Sequence, residues 1–200
     1  MDALGRLKKH LRRGQVYRRA DLLRWSNSVD RHLQQFLEEG TLTKLAVGLY
    51  HYPRQASFGP VPAKHKTLVA AFLKDHRFLL TSPNAYNSLG VGLTQLYNTT
   101  WVYNHKRHGR FRLGNRTLDF RVKAHFPKTL SEEFLIVDLV DNIHCLAEDR
   151  EATLEKLKKR IMRSDVNVKV LAKNVREYGG ARAKKFFQPL LTESSRTNAA

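Results

Sequence analysis

Arg31, Gln34 and Gln35 stand close together in a stretch with helical spacing, and all three turn to the same polar side. Their chemistry is planar, two-point hydrogen bonding: a guanidinium pairs bidentately with guanine and a carboxamide with adenine. Asn27 and Ser28, just before them, are placed to donate to phosphate beside a helix N-terminus. Arg18 and Arg19 open an earlier helical stretch, while Lys44 and Arg54 flank a short β-like pair; all four suit phosphate. Each of these side chains has a plainer reading as solvated surface, which is the commoner fate of a polar helix face taken alone. Catalytic patterns are weak by comparison. His105-x-x-His108 lies in a basic stretch without nearby carboxylates, and the nine histidines are scattered without acid or cysteine partners at ligand spacing. Asp138 and Asp141 read as solvated helix surface. No Gly-rich phosphate loop or nucleophile elbow is present. The expectation is a protein that is not an enzyme and uses no metal or cofactor.

The elements that must carry this trio are legible nearby. From Ser28 to Glu39, Val29, Leu33, Phe36 and Leu37 fall at i, i+4, i+7 and i+8, which gives one apolar stripe. Arg31, Gln34, Gln35 and Glu38 then point away from it. Ser28 suits the N-cap and Gly40 the C′ position. Before this helix, Met1 to Arg13 and Arg18 to Trp25 read as two more, separated by an extended piece at 15–17. After it, Thr41 to Leu45 and Leu49 to Pro53 alternate like paired strands around Val47-Gly48. Residues 14–54 thus read as a winged helix-turn-helix, whose second helix enters a DNA groove.

Pro53, Gly59, Pro60 and Pro62 mark a linker. Beyond it, helix is predicted over His65–His76, strand over Phe78–Thr81 and a helical turn at Ser82-Pro83. Thr100–Tyr103, Arg110–Leu113 and Thr117–Val122 are β-like; Glu132–Leu146, Glu151–Met162 and Val166–Tyr178 are helical. The reading is therefore α+β: a DNA-binding domain over 1–58, a larger mixed domain ending in helices over 63–190, and a frayed tail over 191–200.

Composition narrows the partner. Among 200 residues, 36 Lys and Arg stand against 18 Asp and Glu, a net charge of +18, while 42% apolar content argues for a folded chain. Such a surplus attracts polyanions by counterion release. The surplus lies in residues 1–60 (11 basic, 5 acidic) and 61–130 (12 and 2), whereas 131–200 is nearly balanced (13 and 11). A second basic patch is expected from Lys106, Arg107, Arg110, Arg112, Arg116, Arg121 and Lys123, suited to DNA, RNA or an acidic protein. A lone Cys145 rules out an internal disulfide. With no apolar run of bilayer length and no secretory pattern at the N-terminus, the expected site is the cytoplasm, on the nucleoid, without a membrane partner.

The run Gly14-Gln15-Val16-Tyr17-Arg18-Arg19-Ala20-Asp21-Leu22-Leu23, then Val29-Asp30-Arg31-His32-Leu33, Glu39 to Leu45 and Gly48-Leu49-Tyr50, resembles the AbiEi-like antitoxins of bacterial type IV toxin–antitoxin systems. Phe58-Gly59-Pro60, Ser82 to Gly90 and Leu93-Thr94-Gln95 extend the likeness, which spans roughly residues 1–125. The resemblance implies an N-terminal winged helix and a larger antitoxin domain. It further implies repression of its own operon at double-stranded operator repeats and opposition to a nucleotidyltransferase-type toxin. Two other readings stay open from the residues: a stand-alone winged-helix regulator whose C-terminal domain senses a ligand or dimerises, and an enzyme or RNA-binding factor that uses the basic middle.

Overall fold

The computed structural model describes residues 3–163 and 166–197, with side chains to residue 189. Helices and strands are mixed throughout, in an α+β chain with several small sheets. The chain divides into two units.

The first unit takes the chain as far as Phe78 together with Lys106–Leu118. It begins with α1 (Ala3–Lys9), β1 (Val16–Arg18) and α2 (Arg19–Leu22), the last continued by a 3-10 turn over Leu23–Trp25. Next come α3 (Val29–Glu38), β2 (Thr43–Ala46) and β3 (Leu49–His51). The three strands form one antiparallel sheet in the order β1-β3-β2. Leu7, Leu11, Leu22, Val29, Leu33, Phe36, Leu42 and Tyr50 close a single core between the helices and this sheet. The apolar stripe of α3 is buried as its spacing predicts, although Leu37 is only half-buried. Gly40, at φ +67°, ends α3 in the left-handed conformation that glycine adopts without strain.

Two local expectations need correction. Ser28 makes no side-chain cap on α3. Ahead of the helix, Ser26 Oγ accepts the Ser28 N–H at 3.2 Å and shares a 2.8 Å hydrogen bond with Nδ1 of buried His32, which fixes the turn. The stretch read as a linker is a hairpin, β4 (Arg54–Ala56) against β5 (Gly59–Val61), with Gln55 opposite Pro60. A two-stranded ribbon is all edge, so a proline that cannot donate is tolerated there.

Helix α4 (His65–Leu73) follows β5. A second hairpin of the first unit consists of β8 (Gly109–Leu113), numbered after the strands β6 (Phe78–Thr81) and β7 (Thr100–Asn104), and the start of β9 (Arg116–Val122). Its turn is tied to β2 by the Gly114 N–H, which donates to Leu45 O at 2.6 Å. The Gly114 φ of +65° favours glycine, and a Cβ there would press on Leu45 Cδ2 at 3.0 Å. Arg116 Nη1 donates to Ala63 O at 2.8 Å, and Lys106 Nζ to the carbonyls of Leu73 and Lys74. These long-range bonds draw residues 106–118 into the first unit, where a cut along the chain at 58–63 would assign them to the second.

The second unit comprises Leu79–His105 and the chain from Asp119. Here β6, β7 and the end of β9 lie side by side, with a 3-10 segment over Pro83–Leu89. The helices are α5 (Glu132–Asn142), α6 (Arg150–Arg163), α7 (Val168–Tyr178) and α8 (Ala181–Thr197). Every residue of α5 from Phe134 to Val140 is buried, because α7, α8 and the 3-10 segment all pack on it. Ser131 Oγ caps α5 by accepting the Phe134 N–H, and Asn167 caps α7 through Val170. Residues 181–197 are helical, so the expected fraying from 191 is not seen up to Thr197; Asn198 to Ala200 lie outside the described residues. Among the described residues, no helix is long and apolar enough to cross a membrane.

Candidate nucleic-acid interface

The face of α3 opposite its buried stripe carries Arg31, Gln34, Gln35 and Glu38, all exposed. Gln34 Nε2 donates to Glu38 Oε1 at 3.0 Å, one turn along, which holds that amide in line with the helix. Asn27 and Ser28 are exposed in the turn that precedes the helix. Lys44 on β2 and Arg54 on β4 are exposed as well.

Arg18 and Arg19 are placed differently from a free phosphate contact. Arg18 grips Asp21 through two hydrogen bonds, Nε to Oδ2 at 2.8 Å and Nη2 to Oδ1 at 2.5 Å. Arg19 grips Asp30 in the same fork geometry at 2.6 and 2.5 Å, and so joins α2 to the first turn of α3. The hydrogen bond from Arg18 holds the Asp21 carboxyl below its ordinary pKa, and that from Arg19 does the same for Asp30. Arg19 thus links α2 to α3, whereas the Arg18–Asp21 pair stays local to the start of α2.

Aromatic rings border the same unit. His10 and Trp25 stack at 4.8 Å with planes 2° apart, and Arg24 lies 4.2 Å from the Trp25 ring. Its local signal in the sequence is the adjacent Arg24-Trp25 pair, since His10 comes to the ring from another part of the chain.

The seven residues expected to form one basic patch fall into two groups. Lys106, Arg107, Arg110, Arg112 and Arg116 belong to the first unit. Lys106 reaches the carbonyl end of α4 and Asp75 Oδ2 at 3.2 Å, neutralising a helix C-terminus. The Arg77 backbone N–H, followed by Lys106 and Arg77 side chains, holds Asp75 well below the usual carboxylate range. Arg107 lies 4.5 Å from the Phe72 ring. Arg112 Nε donates to Gly114 O at 3.2 Å. Arg110 and Arg112 are exposed.

Arg121 and Lys123 belong to the second unit and point into it. Lys123 Nζ lies 2.5 Å from Oδ1 of Asp138, whose side chain has no exposed surface. Tyr86 and Tyr103 donate to the other oxygen at 2.7 and 2.8 Å. Asn142 Nδ2 meets both phenol oxygens at 3.2 Å, and its Oδ1 accepts from Arg121 at 3.0 Å. Burial, then the Asp138 charge, pushes both phenols far above the ordinary tyrosine pKa, so they stay protonated donors. Asp138 is thus the centre of a buried network. Asp141, also read as solvated, accepts from Gly180 N at 2.6 Å and Ala183 N at 3.0 Å and caps α8. Periodicity could not tell either carboxylate from a surface acid, because their partners are remote in sequence.

His105 and His108 fall in different units, and His105 stacks on Phe126 at 4.7 Å. Among the described residues, no group of three or more His, Cys, Asp or Glu side chains is arranged to hold a metal ion. No protein-family model, no curated protein and no solved structure matches this chain.

Proposed function

We propose that this chain is a DNA-binding antitoxin of the type IV class, which represses its own operon and opposes a nucleotidyltransferase-type toxin. In this reading residues 14–54 act as a winged helix-turn-helix in the bacterial cytoplasm, on the nucleoid. The observation that carries the DNA half is α3. It buries Val29, Leu33 and Phe36 and exposes Arg31, Gln34 and Gln35, directly after α2 and ahead of the paired strands β2 and β3. Arg31, Gln34 and Gln35 would meet base edges in the major groove, while Lys44, Arg54 and the N-terminal Asn27 and Ser28 would meet phosphate. Arg18 and Arg19 keep a smaller part, since Asp21 and Asp30 already hold their guanidiniums. The antitoxin half rests on the sequence resemblance.

Two experiments test the two halves separately. Binding of the full chain to a duplex library, followed by selection, should return a preferred sequence, and Arg31→Ala should weaken that site by about 1–3 kcal/mol while leaving random DNA nearly unchanged. Equal loss on both would remove base reading from α3. Co-expression with the neighbouring gene should restore growth if that gene encodes the toxin. Growth inhibition that the full chain leaves untouched would reduce the protein to a stand-alone regulator.

A further inference from the structure

A pocket of about 560 Å³ opens within the first unit, between β2, the β4–β5 hairpin and the β8–β9 turn. That volume lies in the range of small-ligand sites. Among the described residues, three cations line it, Lys44, Arg112 and Arg116, and no Asp or Glu does. Pro53, Pro60 and Pro62, with Leu68 and Leu113, supply apolar walls. Proline offers no backbone N–H, so these walls are short of donors as well as apolar.

His51 also lines the pocket; it is 3% exposed, and its Nε2 has no hydrogen-bond partner among the described residues. Burial, then the Arg116 charge, pushes its pKa down and keeps the ring neutral. A neutral imidazole holds one donor and one acceptor, and buried polar atoms of this kind are seldom left unmet. Among the described residues each guanidinium makes one hydrogen bond: Arg112 Nε to Gly114 O, and Arg116 Nη1 to Ala63 O. The rest of each fork is pre-positioned without being consumed, which lowers the entropy lost on binding.

We infer that this pocket binds a small organic anion, a carboxylate carried on a flat apolar ring system. The carboxylate pairs with Arg112 and Arg116, with Lys44 at the rim, and the ring lies against the proline and leucine walls. A bare phosphate or a DNA backbone would satisfy the cations and leave the apolar walls unused. Lys44 is common to this site and to the proposed phosphate contacts, but the titration below needs no DNA.

The test uses the full chain, 15N-labelled, titrated with indole-3-acetate and with its uncharged isostere indole-3-acetamide. Saturable shifts are expected at the amides of residues 43–45, 51 and 112–116, with a Kd of about 1 mM or tighter for the acid. The amide should bind about tenfold or more weakly, the effect of losing a charge-assisted pair. Arg112→Gln should weaken the acid by a similar factor. Lys44→Gln serves the same purpose should the first variant lose its dispersed spectrum. Equal binding of acid and amide would overturn the anion assignment, and equal shifts with inorganic phosphate would overturn the apolar one. Shifts that do not saturate, or that centre on the second unit, would remove the site.

Discussion

Arg112 and Arg121 sit on neighbouring strands of one hairpin and meet opposite fates. Arg112, in the first unit, is exposed and anchored by one carbonyl. Arg121, in the second, lies 3.7 Å from the Trp101 ring and is held by Asp119 and Asn142. Lys123 goes further and neutralises a carboxylate with no exposed surface. Identical residue types in one basic stretch therefore split into charges offered outward and charges spent inside. The lesson is that net charge sets an upper limit on what a polyanion can meet, and only packing says which cations remain. The first unit leaves Arg110 and Arg112 exposed, while the second holds Arg121 and Lys123 against its own interior.

The comparison can be broken at several points. Replacing Asp138 by Ala should have the largest effect, about 3–5 kcal/mol of stability in urea unfolding, because it leaves Lys123 without its partner and two buried phenols without an acceptor. A cost below about 1 kcal/mol would mean that water already serves the network. Tyr103→Phe removes the hydrogen bond to that charged group together with the longer one accepted from Asn142, and should cost about 1.5–3 kcal/mol. Against these, Arg110→Ala and Arg112→Ala should barely alter unfolding. Each should reduce the salt slope of DNA binding by about 1 if the first unit carries the interface. Arg121→Ala should do the reverse, lowering stability and leaving the salt slope intact. An Arg121 effect on the slope as large as that of Arg112 would erase the division between outward and inward cations.

The smallest effect is a pH dependence with a definite sign. The hydrogen bonds from Arg18 and Arg19 depress the folded pKa values of Asp21 and Asp30. Their contribution is present above the unfolded carboxylate pKa of about 4 and is lost as pH falls through the depressed folded values. His51 acts in a higher window. Its folded pKa is lowered by burial and then by Arg116, so protonation favours the unfolded chain once pH drops below about 6.5. Unfolding followed from pH 8 to pH 3 should lose stability first in the histidine window and again in the carboxylate window. Replacing His51 by Gln should shrink the first step and leave the part that His65 adds, since burial and then Arg116 lower its pKa too. A flat profile across about pH 7 to 5 would show that His51 is solvated in the folded protein.

Much of the architecture was legible because it is periodic. The α3 stripe, the β2–β3 pair, α4, β6 and the three β-like runs after Thr100 all appear near their expected places, since a period of 3.6 or 2 is written locally. What failed was of another kind. The proline-rich stretch at 53–62 is a hairpin, because a ribbon without neighbours tolerates a missing donor at Pro60. The outward set Arg31, Gln34 and Gln35 followed from the stripe. The engagement of Arg18 and Arg19 did not, since Asp30 is brought to Arg19 only when α2 packs on α3. His32, which the stripe leaves unassigned, is buried, and Ser26 meets its ring across the turn.

The chain alone determined the positive surplus, the helical and strand periods, and which side of α3 would face inward, all of which are properties of neighbours in sequence. Tertiary structure decided which cations stay available, that Asp138 and Asp141 are interior or capping groups, and that 106–118 returns to the first unit to close a pocket around His51. The physical reason is range: burial and ion pairing are set by groups tens of residues away, and no local pattern records which of them will arrive.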